Sequence, residues 1–133
     1  GAFVSIKKND NLRGCIGTIK PTQDSIVQEV KNNAVSAAAR DPRFPAIEAE
    51  ELDDLNISVD IIGEQEEIEG LKELDPKKYG VIVKSGRKTG LLLPNLEGVN
   101  NPEEQVEIAR RKAGIARGSH FDLYRFEVKR YKE

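Results

Sequence analysis

The sequence of 133 residues holds one cysteine and one histidine. A single thiol closes no internal disulfide, which leads us to expect a reducing, cytoplasmic setting. A chain this long buries roughly two-thirds of its unfolded surface and needs no disulfide or metal to fold. One Cys and one His without ligand spacing cannot build a structural zinc site. No metal and no cofactor is therefore assigned to the chain, and any metal chemistry is left to a partner protein. No apolar run approaches the roughly 18 residues of a membrane span, and no signal peptide is visible. The glycines follow neither the Walker nor the Rossmann pattern. A basic surplus is also missing. Residues 48–75 carry twelve acids and one lysine, and the formal net charge of the chain is −2. That balance argues against nucleic acid as a partner. Glu64, Glu66, Glu67 and Glu69 read as a solvated loop.

What is present centres on Leu12-Arg13-Gly14-Cys15-Ile16-Gly17-Thr18. The lone thiol stands between two glycines, which let a backbone or a ligand come close. Phe3 to Lys8 alternates and ends at Asn9-Asp10-Asn11, predicting a hairpin with residues 12–18. On a regular second strand Arg13, Cys15, Gly17 and Ile19 share one face. Arg13 then neighbours the thiol, and Gly17 leaves the space beside the sulfur open.

Asp24 is the predicted cap of a helix from Ser25 to Arg40, with Ile26, Val30, Ala34 and Ala37 as its inner stripe. The helix ends at Arg40-Asp41-Pro42-Arg43-Phe44-Pro45, a loop stiffened by two prolines. Residues 48–55 read as an acidic helical turn, 56–62 as a strand, 63–70 as an exposed linker and 71–76 as a helical turn. Residues 79–84 and 89–93 are two strands joined by Ser85-Gly86-Arg87-Lys88. Asn101, Pro102 and Glu104 start a helix with Val106, Ile108, Ala109 and Ala113 inside, and Gly114 ends it. One last strand is expected over residues 121–131. The class is α+β, a mixed, mainly antiparallel sheet packed with a few helices.

The segments LRGCIGT at 12–18, RDPRFP at 40–45 and YGVIVKSGRKTGLLLP at 79–94 stand in order. With RKAGI at 111–115 and YRFEV at 124–128, they resemble the AMMECR domain family over essentially the whole chain. In microbes that family is called protein A of the AmmeMemoRadiSam system. The resemblance implies a single α+β domain over residues 1–133 with two lobes and a cleft, and we expect LRGCIG and RDPRFP to meet and form that cleft. It implies as partners a Memo-type, extradiol-dioxygenase-like protein and a radical-SAM protein. It implies no named reaction, and so does not decide whether the protein is an enzyme. The chain opens at Gly1-Ala2-Phe3-Val4, already strand-like, without the helical segment that usually comes first in the family. Pro102-Glu103 replace a tryptophan often found there.

Cys15, Arg13 and Asp41 are the catalytic candidates, since a cationic neighbour such as Arg13 or Arg40 favours a thiolate. Arg40 and Arg43, whose planar forks suit a carboxylate or phosphate, join Gly14 and Gly17 as substrate-binding candidates. The plain alternatives are a cysteine that is a small buried hydrophobe, and an Asp41–arginine ion pair that only fixes the loop. His120 is the one residue available for a Cys–His pair. Three functions follow. The first is a catalytic or substrate-presenting component of a modification system acting on a small molecule or protein. The second is a non-catalytic module docking on Memo-like or radical-SAM partners. The third is an RNA-binding domain using the basic hairpin and last strand.

Overall fold

Asn9 and Asp10 both take positive φ, 50° and 67°. They form a two-residue turn of the mirror-image kind that suits strand twist, and it closes the first hairpin as expected. The structure, a computed structural model, describes residues 1–132. In chain order the elements are β1 (Ala2–Lys8), β2 (Asn11–Gly17), α1 (Ile26–Ala39), β3 (Leu55–Ile62), β4 (Glu66–Ile68), β5 (Gly80–Ser85), β6 (Lys88–Leu92), α2 (Pro102–Ala113), β7 (Asp122–Phe126) and β8 (Val128–Lys132). Short 3₁₀ turns lie at Ala49–Asp54 and Leu71–Glu73. The fold is α+β, with a four-stranded sheet in each of two compact units. One is Gly1–Ile62 with the residues from Lys129 on, the other Gly63–Val128.

In the first unit the strand order is β2-β1-β3-β8. Helix α1 packs on β1 and β2, around buried Val4, Ile6 and Ala37. Ser25, not Asp24, caps the helix, its Oγ accepting from the Gln28 N–H at 3.1 Å. The inward face keeps the expected Val30, Ala34 and Ala37 but not Ile26, and it adds two polar residues. Glu29, Asn33 and Ala37 are buried, while Ile26 and Val27 are exposed. Hydrogen bonding explains the two polar residues. Glu29 accepts from the N–H and Oγ1 of Thr22 at 2.6 and 3.1 Å, and Asn33 donates to the Ala2 carbonyl at 2.9 Å. Main-chain groups beneath a helix need partners, and α1 places two polar side chains beside its apolar stripe to supply them.

In the second unit the order is β4-β7-β5-β6. Strand β4 falls in the stretch that reads as a linker. Ile68, buried opposite Leu123, holds it in the sheet, while Glu66 and Glu67 stay outside. Helix α2 starts and stops as its sequence signals predict. Asn101 Oδ1 accepts from the Glu104 N–H at 2.9 Å, Pro102 takes the first position, and Gly114 turns left-handed at φ 74°. The core is aliphatic, with Val81, Val83, Leu92, Val106 and Ala109 at its centre. The single last strand expected over 121–131 is two strands, β7 and β8, in different sheets. The break is at Glu127, whose carbonyl accepts from the Gly63 N–H at 2.8 Å.

The two units share one topology. A hairpin leads into a helix, and the next strand returns antiparallel beside the hairpin's first strand. Gly14 opposite Ile6 and Gly90 opposite Val83 occupy the same place in each. A Cβ on Gly14 would lie 2.2 Å from the Ala37 carbonyl oxygen, and one on Gly90 2.2 Å from that of Ala109. Only glycine lets the helix backbone sit this close to the strand. Gly17 likewise lies under the ring of its cross-strand partner Phe3, and Gly80 under Phe126.

Candidate functional site

Residues 12–18 and the Arg40–Pro45 loop meet, and they meet through main-chain atoms. Cys15 lies on β2, an edge strand. Its N–H donates to Asp41 Oδ2 at 3.0 Å, and its carbonyl accepts from Arg43 Nη2 at 3.2 Å. Both groups therefore point away from β1. In an antiparallel ladder such a residue pair brings its side chains closest together. Ser5 is the partner, and its Oγ is 3.4 Å from the half-buried Cys15 Sγ.

Asp41 is 4% exposed and also accepts from the N–H and Nε of Arg43 at 3.0 Å and from its Nη2 at 2.8 Å. These Arg43 bonds hold the carboxyl well below the usual carboxylate range, against the opposing effect of burial. The same pairing raises Arg43. A carboxylate held so low is a weak proton acceptor at neutral pH. The structure thus contains the Asp41–arginine ion pair, with Arg43 as the arginine.

Arg13 is turned elsewhere. Ile6 pairs with Gly14 and Lys7 with Leu12, so Arg13 is the extra residue of a bulge. Bulges re-aim side chains. The guanidinium donates Nε and Nη2 to Glu51 at 3.0 and 3.1 Å, and it reaches the carbonyls of Pro45 and Ala46 at 2.8 and 3.3 Å. Glu51, also held by Lys8 at 3.1 Å, is lowered to about 2, chiefly by the Arg13 bonds. The expected Arg13–Cys15 neighbourhood fails because the strand is not regular.

Arg40 is exposed, and its guanidinium has no hydrogen-bond or ion-pair partner among the described residues. Gly14 faces α1, and the Phe3 ring fills the space over Gly17 that was expected to be open. His120 is exposed in the second unit, 3.4 Å from Asp122. Among the described residues no group of three or more His, Cys, Asp or Glu side chains is placed to hold a metal. No helix among them is long and apolar enough to cross a membrane.

Sequence reasoning missed Ser5, Ser58, Asp60 and Arg130. Cys15, Ser5 and Ser58 are partners in register across β2, β1 and β3, forming a polar row on the face away from α1. One step along, Phe3 pairs with Asp60, which is 3% exposed and takes a fork from Arg130 at 2.6 and 2.9 Å. At the matching places of the second unit stand Leu91, Ile82 and Tyr124. The signal for Ser5 was available, since a two-residue turn at Asn9-Asp10 brings Ser5 opposite the thiol once the bulge is allowed for.

Fold and site together define an AMMECR-type domain. The AMMECR1 family matches residues 1–132, and the chain belongs to that family. It is 52% identical to a Thermotoga maritima protein over 134 residues, which covers 99% of this chain and 77% of that protein. It is 54% identical over 133 residues to a Clostridium acetobutylicum protein, of which it spans only 28% of the length. The crystal structure of an uncharacterized protein from Pyrococcus horikoshii has the same fold. The TM-score is 0.90 at 30% identity, over 99% of this chain and 72% of that one.

Proposed function

We propose that the domain is a catalytic or substrate-presenting component of an AmmeMemoRadiSam-type modification system, with Cys15, Ser5 and Ser58 as its working row. The observation that carries this reading is the contrast between the two units. The same topology folds with Leu91, Ile82 and Tyr124 at these places. A thiol and two hydroxyls are therefore not needed by the fold. The half-buried sulfur meets a hydroxyl rather than hydrocarbon, and the Asp60–Arg130 pair fixes a charged neighbour one step along. Memo-like and radical-SAM proteins are the partners, and they supply any metal chemistry.

The test is complementation. In cells lacking the gene, wild type is expected to restore the metabolite profile. Cys15→Leu, which installs the second unit's residue, is expected to fold with an unchanged circular dichroism spectrum and fail to restore it. Deleting the Memo-like or radical-SAM gene should give the profile of deleting this one. Full complementation by Cys15→Leu would remove the working row, and an unrelated profile would remove the system.

A second reading, docking without chemistry, rests on a different surface. Ile26 and Val27 on α1 and Tyr131 on β8 are 46%, 60% and 51% exposed. With Val30, Val59 and Ile61 they line an apolar groove of about 510 Å³. Exposed apolar grooves of this kind mark binding surfaces. Val27→Lys should then abolish co-purification with a Memo-like or radical-SAM partner, with Cys15→Ser harmless. The opposite pattern favours the thiol row.

A further inference from the structure

We propose that the Arg40–Pro45 loop is a strap that closes the edge of β2, its Asp41 and Arg43 side chains standing where a neighbouring strand would bond. Two sheets have four edge strands, and an unpaired edge is a template for pairing with another chain. Three of the four are blunted by familiar means. Strand β4 is three residues long and carries Glu66 and Glu67. Strand β8 carries Lys129, Arg130 and Lys132. On β6 the Leu91 carbonyl accepts from Lys112 Nζ at 2.9 Å.

Strand β2 is the longest of the four at seven residues, and in NLRGCIG only Arg13 is charged. It has the strap instead. The carboxylate of Asp41 takes the outward N–H of Cys15, and the guanidinium of Arg43 takes its carbonyl. Further along, Arg13 holds the carbonyls of Pro45 and Ala46, so the loop is tied to the strand at both ends. Pro42 and Pro45 lack an N–H, so the strap offers little to a further strand.

The second unit supports this role independently. Cys15 and Leu91 hold the same place in the shared topology, one residue beyond the glycine that faces the helix. In both, the carbonyl is capped by a cation, Arg43 after α1 and Lys112 within α2. The first unit adds an acceptor for the N–H. This inference does not depend on the working row, because its readouts are self-association and one amide.

The experiment follows Cys15 amide exchange by NMR and mass by sedimentation, across a range of protein concentrations. In wild type the Cys15 amide is expected to be protected. In Asp41→Ala it should exchange about tenfold faster or more in dilute solution, the size of one lost charge-assisted bond. Protection should return as concentration rises and mass increases. Arg43→Lys keeps the charge but loses the fork, and it decides the question should Asp41→Ala not fold. A mass that rises with concentration above wild type supports the strap. An unprotected Cys15 amide in wild type, or folded variants that keep the wild-type mass at every concentration, overturns it.

Discussion

Cys15 and Leu91 sit at the same point of one topology, yet one is a half-buried thiol beside a serine and the other a buried aliphatic residue. The two units agree in the glycine that faces the helix, Gly14 or Gly90, and in the cation on the outward carbonyl. The glycine is what the close approach of the helix requires. The units disagree in what they bury. Glu29, Asn33, Asp41 and Asp60 are buried in the first unit, and Gln105 alone among described polar residues in the second. The first unit adds paired buried polar groups to its apolar core, and the second relies more on hydrocarbon. Polar fastening is directional, so it fixes the loop beside Cys15 more tightly than packing alone would.

The sharpest way to break the comparison is to damage each unit in its own terms. Phe126 is fully buried, and Phe126→Ala should cost about 3–5 kcal/mol. Asp41→Ala removes the acceptor of four hydrogen bonds, but Arg43 can turn to water, so about 2–3 kcal/mol is expected. Amide exchange should report the first loss foremost at Val81 and Val83 and the second at Val4 and Ile6. Equal loss at all four sites in both variants would mean that the units have no separate energetics.

The shared glycines give a narrower test. In Gly14→Ala and Gly90→Ala the new methyl meets a helix carbonyl oxygen, which cannot rotate aside. Each should cost about 1–3 kcal/mol, as overpacking does, and the two urea midpoints should shift alike. A large shift in one and none in the other would break the structural equivalence.

What could be read in advance was local. The Asn9-Asp10 turn and the Asn101–Gly114 limits of α2 depend on residues next to one another, and both were legible. The inner face of α1 was legible in Val30, Ala34 and Ala37 but not in its polar part, because Glu29 and Asn33 turn inward for Thr22, Thr18 and Ala2, which the helical period does not contain. The alternation of Tyr124, Phe126 and Val128 runs unbroken through Glu127, with no Gly or Pro to mark the change of sheet. At the candidate site, the meeting of the thiol segment with the stiff loop was legible. Its atoms were not, since the bonds go to the Cys15 main chain. Glu51, the partner of Arg13, lies in an acidic run where one carboxylate looks like another.

Acid gives the mildest test. Glu29, Asp41 and Glu51 all belong to the first unit and all are lowered by folding. For Glu29 burial raises the carboxyl but is outweighed by the bonds from Thr22 together with its other neighbours, for Asp41 the bonds from Arg43 dominate, and for Glu51 those from Arg13 do. In the second unit Glu107 is lowered, chiefly by the bond from Arg110 on the same helix. A lowered carboxyl contributes stability that is complete above its unfolded value of about 4 and is lost as pH falls toward its folded value. Between pH 6 and pH 3 the protection of Val4 and Ile6 should therefore decline relative to that of Val81 and Val83. Parallel decline would show that the buried carboxylates of the first unit matter no more than the surface pair on α2, and that its polar fastening is a matter of geometry rather than stability.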